Sequence, residues 1–275
     1  MDVLSADWLG ICRRAVAAQR LLFAETASSE ERTVYEGVGE GGDRTLVVDR
    51  QCEDIVFAEL EQLAAQGADF VAVSEERGEV RFGVGGEARV VIDPIDGSLN
   101  ARRTIPSHSL SVAVASGSSM ADVEFGFVHD FGADEEFAAR RGQGAQLAGK
   151  PIEVAAPAER LEIVGLESAE PTRSLPVLAA LADRAYRLRV VGSIAITAAY
   201  VAAGRFDAML SLRDCRSVDA AAAQLIVREA GGEVAFGGGA LEEASLGLDA
   251  RYPIVAACGA DGLATVRAAQ SVQSA

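Results

Sequence analysis

Lysine is almost missing from this chain: Lys150 is the only one, and every other basic side chain is an arginine. Histidine is nearly as scarce. With only His108 and His129, a multi-histidine metal centre is excluded. The four cysteines, Cys12, Cys52, Cys215 and Cys258, lie far apart and form no C-x-x-C pair. Zinc spacing is therefore absent, and buried free thiols are expected rather than a disulfide framework. No apolar run approaches the ~20 residues that a membrane-spanning helix requires. The N-terminus has no basic region followed by an apolar block and a cleavage site. Asp2 and Asp7 instead precede an amphipathic segment carrying Arg13, Arg14 and Arg20, the pattern of an ordinary first helix. A soluble, cytoplasmic protein is the expectation.

Acidic residues are abundant, 41 Asp and Glu against 25 basic residues, for a formal net charge of −16. Nucleic acid and anionic membranes both need basic footprints, so neither is expected as a partner. An acidic, lysine-poor surface suits a high-salt cytoplasm, where screening removes self-repulsion. A coding bias toward Arg and Ala explains the same composition, and both readings stay open.

At 275 residues and 49% hydrophobic content, the chain is long enough for one large core or two closely packed lobes. Helical spacing covers residues 8–24, and a second helix containing Cys52, Ile55, Val56, Leu60 and Leu63 stops at Gly67. Between them, the glycine-dense, acidic residues 37–43 read as a mobile loop. Short apolar strands at 70–73 and 89–92 end on Glu75 and Asp93. From Ser109 to Val154 the period becomes strand-like, with strands at 109–115, 123–128, 135–140 and 145–147, a pattern that predicts an antiparallel meander. After Pro157, short strands at 163–165, 188–191, 208–210 and 254–257 alternate with Ala-rich helices near 174–183, 194–203 and 219–230, as in an α/β lobe. The chain thus divides near residue 155 into an α+β half, 1–155, and an α/β half, 156–275.

The chemistry concentrates in Asp93-Pro94-Ile95-Asp96-Gly97-Ser98. A strand delivers Asp93 at its carboxyl end, where ligand sites of layered α/β structures lie. Pro94 turns the chain out of the sheet, Asp96 follows within reach of the same ion, and Gly97 allows close backbone approach. One D-P or D-G dipeptide is an ordinary turn former. The whole string arises by chance in on the order of one in ten thousand chains of this length. Glu75 and Glu76, taken alone, suit a solvated acidic turn, and Asp219 and Asp49 suit helix caps.

Taken together, these residues resemble the inositol monophosphatase superfamily, and within it the archaeal-type enzymes with combined inositol monophosphatase and fructose-1,6-bisphosphatase activity. The matching pieces are residues 45–49 with Glu53-Asp54, then Ser74-Glu75-Glu76, 93–100, Ile105-Pro106 and 109–115. Gly192-Ser193, 199–207 and 219–232 follow, so the resemblance spans about residues 8–260. It implies a layered αβαβα sandwich, a homodimer, and hydrolysis of small sugar or polyol phosphate monoesters. Two to three Mg²⁺ ions are implied per site, with Mn²⁺ as a substitute. Glu75, Asp93, the Ile95 carbonyl and Asp96 would surround the first ion and Asp93, Asp96 and Asp219 the second, with a third near Glu75, Glu76 and the 37–43 loop. Ser98 and Asp49, with Thr45 nearby, would orient the attacking water. The N–H groups of Gly97 and Ser98 would hold phosphate oxygens. Gly192 and Ser193 open a helix toward the substrate, unless Ser193 serves only as its N-cap, and Arg213 and Arg216 either offer guanidinium groups to a second phosphate or are ordinary surface arginines of an arginine-rich chain. The chain departs from the better-known animal enzymes in four ways: no lysine in the loop, Val218 before Asp219, Ser98 for threonine, and Ala223 for glycine. Rival readings are a 3′-phosphoadenosine 5′-phosphate or NADP phosphatase of the same superfamily, and a non-catalytic metal-binding relative.

Overall fold

Trp8, Ile11, Cys12, Ala15, Val16 and Gln19 recur at helical spacing and are buried along one face of α1 (Trp8–Glu25), whose N-terminus is capped by Asp7 accepting from Gly10 N–H at 3.0 Å. The computed structural model describes residues 1–26, 28–40 and 44–272, apart from the side chains of residues 36, 38, 44 and 45. A hairpin, β1 (Tyr35–Val38) and β2 (Arg44–Leu46), leads into α2 (Val47–Ala65). Next come β3 (Phe70–Ser74), β4 (Gly78–Phe82), β5 (Arg89–Asp96) and the short α3 (Ser98–Arg102). The meander follows as β6 (Ser109–Ala115), β7 (Val123–Asp130), β8 (Glu135–Arg140), β9 (Ala145–Leu147) and β10 (Lys150–Ile152). The second half holds β11 (Leu161–Glu167), α4 (Pro171–Leu181), β12 (Ala185–Arg189), α5 (Ile194–Ala202), β13 (Ala208–Ser211) and β14 (Cys215–Arg216). It closes with α6 (Ser217–Glu229), β15 (Glu233–Phe236), β16 (Arg251–Tyr252), β17 (Ile254–Ala257) and α7 (Ala260–Ser271).

An eight-stranded sheet runs β10-β9-β8-β7-β6-β5-β3-β4, and a five-stranded sheet runs β12-β11-β13-β17-β15. Strand alternation sorts the first sheet into two faces. Phe70, Ala72, Val90, Ile92, Leu110 and Val112 pack with Trp8, Val16, Phe57 and Leu60 of α1 and α2. Their neighbours Val71, Val73, Val91 and Ala113 point the other way, into a core shared with α5, α6 and the Met209, Ile254 and Ala256 side of the second sheet. The far side of that sheet is covered by Val177 and Leu181 of α4 and Val266 and Ala269 of α7. The layers are therefore helices, sheet, helices, sheet, helices, as the resemblance implied.

The Ala220–Ala223 run explains how closely the middle layer sits. A Cβ on Gly126 of β7 would lie 2.6 Å from the Ala222 carbonyl, so α6 meets the sheet at backbone contact. Three differences from the sequence reading stand out. β5 continues past residue 92 to Asp96, Glu167 belongs to a strand longer than 163–165, and β4, β10, β15 and α7 were not anticipated. All four cysteines are buried and free, as expected. Among the described residues no helix is long and apolar enough to cross a membrane.

Candidate active site and metal centre

Side chains three apart on a regular strand face opposite ways, so Asp93 and Asp96 could not normally serve one site. The register supplies the answer. Asp93 pairs with Ser111 and Asp96 with Ser109, three steps on β5 against two on β6. The extra residue is a bulge at Pro94-Ile95, which re-aims the strand end. Asp93 accepts from the Ile95 N–H at 3.0 Å, which fixes the turn. Gly97 then adopts φ 96°, and a Cβ there would fall 2.9 Å from the Ser107 carbonyl and 3.0 Å from that of Gly192. Only glycine suits this position.

Neighbouring elements bring the other acids to the same place. β3 runs parallel to β5 with Ser74 beside Ile92, so Glu75 emerges next to Asp93. Asp219 lies in the first turn of α6 and accepts from the Arg216 N–H at 2.8 Å. Asp49 lies in the first turn of α2, accepting from the Leu46 N–H at 3.4 Å. Glu75, Glu76, Asp49, Asp93, Asp96 and Asp219 all line one cleft of about 800 Å³.

The crowding of like charge is visible in the titration of the group. Burial, then Asp96, Asp219 and Glu75, hold the Asp93 carboxyl well above the carboxylate range. Burial, then Asp96, lifts Asp219 to about 6. Asp96 is lifted to about 6 by burial, against the lowering effect of its hydrogen bonds to Ser193 and Ala195. Asp49 is lifted to about 7 by burial, then by Glu76. Carboxylates this close resist ionising together unless a cation joins them.

Among the described residues no three acid, histidine or cysteine side chains stand close enough together to hold an ion as they are. Their present partners show why. Asp96 Oδ2 accepts from Ser193 Oγ at 2.5 Å and from the Ala195 N–H at 2.6 Å, at the start of α5. Glu75 Oε1 is paired with Arg216 Nη1 at 2.5 Å. The donor set is nevertheless all oxygen and acidic, and Asp49 Oδ1 is buried without a hydrogen-bond partner. That chemistry fits a hard divalent cation such as Mg²⁺.

The remaining sequence-derived residues divide. Gly97 and Ser98 line the cleft, but the Ser98 hydroxyl donates to the Ile95 carbonyl at 3.1 Å and no hydrogen bond joins it to Asp49. Gly192 lines the cleft. Ser193 does not meet it: the side chain is buried, committed to Asp96 and, as N-cap of α5, to the Ile196 N–H at 3.1 Å. In this arrangement its hydroxyl holds Asp96. Arg213 and Arg216 both line the cleft, yet Arg216 is turned to Glu75, and Arg213 is held by Glu170 at 3.1 Å. The Thr45 side chain and the 41–43 part of the loop lie outside the described residues.

Sequence reasoning missed Glu167. It ends β11 in the same cleft, accepting from the N–H groups of Val191 (3.1 Å) and Gly192 (2.9 Å) and from the Thr197 hydroxyl (2.6 Å). The signal was available: like Asp93 and Glu75, it is an acid closing an apolar strand. Asn100 was noted only as the end of a motif. Its amide donates to the Ser107 and Val191 carbonyls, both at 2.8 Å, tying the turn after Asp96 to the Gly192 segment.

Comparison with known proteins places this architecture. Residues 10–274 match the model described as "Inositol monophosphatase family". The chain is 32% identical to the fructose-1,6-bisphosphatase/inositol-1-monophosphatase of Methanothermobacter thermautotrophicus, covering 91% of each chain. Identity to the protein of the same name in Archaeoglobus fulgidus is also 32%, covering 92% of each. A crystal structure of an inositol monophosphatase–fructose 1,6 bisphosphatase gene product superposes with a TM-score of 0.83 at 25% identity, covering 96% of this chain and all of that one.

Proposed function

The chain belongs to the inositol monophosphatase family, and on that premise we propose that it is a metal-dependent phosphatase hydrolysing small sugar or polyol phosphate monoesters, foremost inositol 1-phosphate and fructose 1,6-bisphosphate. Phosphatases of this family are metal-dependent, typically on Mg²⁺. The observation that carries the reading is the bulge at Pro94-Ile95, which turns Asp93 and Asp96 into one cleft with Glu75 and Asp219.

In this proposal Glu75, Asp93, the Ile95 carbonyl, Asp96 and Asp219 hold two Mg²⁺ ions, and Glu76 serves a third; Mn²⁺ substitutes. When bound, the ions lower the pKa of a coordinated water and neutralise charge that develops on the phosphoryl and leaving oxygens. Asp49, with its free Oδ1, accepts the proton of the attacking water, while Ser98 and Thr45 orient that water. The turn at Gly97 and Ser98 positions phosphate oxygens through backbone N–H groups. Asp96, anchored on α5, keeps its carboxylate fixed while the ester is bound. For Ser98 and Arg216 the scheme requires that each leave its present partner, the Ile95 carbonyl and Glu75 respectively. Homodimeric assembly and a cytoplasmic location belong to the same proposal.

The test is a panel of kcat/KM values for inositol 1-phosphate, fructose 1,6-bisphosphate, glycerol phosphate, NADP and 3′-phosphoadenosine 5′-phosphate, with and without Mg²⁺. Mg²⁺-dependent phosphate release, highest for the first two, is expected. Preference for a nucleotide transfers the assignment to that substrate class. Absence of Mg²⁺-dependent release from every ester overturns it in favour of a non-catalytic relative.

A further inference from the structure

On this acidic surface several arginines are balanced one by one. Arg13 pairs with Glu136, Arg14 with Glu59, Arg89 with Glu79, and Arg205 with Glu135. One cleft gathers several arginines without such balance. Beside the catalytic cleft, a second cleft of about 630 Å³ lies between the start of α4, the turn after β13, the segment after β15, and α7. Arg173, Arg213, Arg251 and Arg267 line it, against a single carboxylate, Asp214.

The side chains are not neutralised from behind. Glu170 is shared by two of them, meeting Arg173 at 3.3 Å and Arg213 at 3.1 Å. Arg251 donates through Nη1 only to backbone, the Leu248 carbonyl at 2.5 Å and the Ala250 carbonyl at 3.1 Å. That fixes the guanidinium without cancelling its charge. The Arg267 side chain has no hydrogen bond or ion pair among the described residues, and its Nη2 stands 3.9 Å from where a Cβ on Gly238 would be. Even with Glu170 counted, the cleft keeps an excess of positive charge on a chain whose net charge is −16. Guanidinium groups bind phosphate oxygens in pairs, so several converging on one cleft suit an anion carrying more than one phosphate.

We propose that this arginine cleft is a binding site, distinct from the catalytic centre, for a small anion bearing two or more phosphate groups. Arg213 lines the catalytic cleft as well and its partner Glu170 lines that cleft, so an occupant that draws Arg213 from Glu170 alters the rim of the active site. The site is therefore placed to regulate turnover. Its existence does not depend on the phosphatase assignment.

Calorimetric titration of the full chain with inorganic pyrophosphate, before Mg²⁺ is added, tests it. Without the metal, the carboxylates of the catalytic cleft repel anions, and the arginine cleft is read alone. The wild type should bind one pyrophosphate, more tightly than inorganic phosphate and more weakly as KCl is raised. Arg251→Gln combined with Arg267→Gln should weaken binding at least tenfold while the circular dichroism spectrum is unchanged. Should the double variant fail to fold, Arg267→Gln alone, which removes no side-chain hydrogen bond or ion pair among the described residues, should still weaken binding. ADP in place of pyrophosphate separates the sources. Equal affinity identifies a diphosphate group alone, and tighter ADP identifies a nucleotide. No binding by the wild type, or equal binding by a folded variant, overturns the proposal.

Discussion

Asp96 shows how one side chain serves two purposes. It stands among the acids of the cleft, and it caps α5 through the Ser193 hydroxyl and the Ala195 N–H. Asp96→Asn keeps the size but removes the charge, and kcat should fall at least ~100-fold, the scale for losing a transition-state stabiliser. Near-normal turnover of that variant removes Asp96 from the mechanism. Ser193→Ala leaves the acid in place and deletes one of its two anchors. A loss of about ten- to hundredfold in metal affinity or activity is expected, as for other groups that orient a ligand. An unchanged Mg²⁺ titration argues that the Ala195 N–H alone suffices. A different residue makes a cleaner pH probe. Burial, then the Arg20 charge, pushes His129 down to about 4 from its usual 6.5. The unfolded chain therefore binds a proton that the folded chain refuses between those values. The stability from this residue is complete above about 6.5 and is lost as the pH falls through about 4. With only two histidines in the chain, NMR resolves it directly. A His129 midpoint near 4 is expected, and one at or above 6.5 shows that the ring is not buried beside Arg20.

At the scale of elements, what the sequence made legible follows from how much apolar surface each element buries. α1, α2, α5 and α6 bury stripes of side chains and were readable from their spacing. α7 buries only Val266 and Ala269, too faint a stripe to register. β4 alternates from buried to exposed at a sheet edge and so offers no continuous apolar run to read. In the site, Asp93, Glu75 and Asp219 were legible because each sits at an end of an element that the pattern defines. The bulge was not, since nothing in residues 93–96 states how β6 pairs with them. Nor was the Ser193–Asp96 bond, which links positions 97 apart. The contact between Gly126 and Ala222 offers a test at this scale. Gly126→Val places three carbons where a carbonyl already stands, which should displace α6 and destabilise the fold by about 1–3 kcal/mol. Because α6 carries Asp219, activity should fall with stability. A variant of unchanged melting temperature shows that the sheet and helix have room to part.

The whole molecule carries a charge of −16, and its basic residues are almost entirely arginine. Self-repulsion of that size works against the compact state, and its reach is set by ionic strength. The Debye length shrinks from ~10 Å at 0.1 M to ~3 Å at 1 M salt, so like charges spread across the surface cease to oppose one another in that range. Ion pairs such as Arg13–Glu136 and Arg205–Glu135 are screened too, but exposed pairs contribute only ~0–1 kcal/mol each. Relief of the net repulsion should therefore win. The unfolding temperature, followed by circular dichroism, should climb as KCl is raised from ~0.1 M toward molar concentrations. Mg²⁺ must be held constant, since ions bound to the carboxylate cleft stabilise the fold by mass action and would mask the salt term. A flat or falling curve means that the acidic residues are already balanced locally, and the composition then reflects coding bias rather than adaptation to a salty cytoplasm.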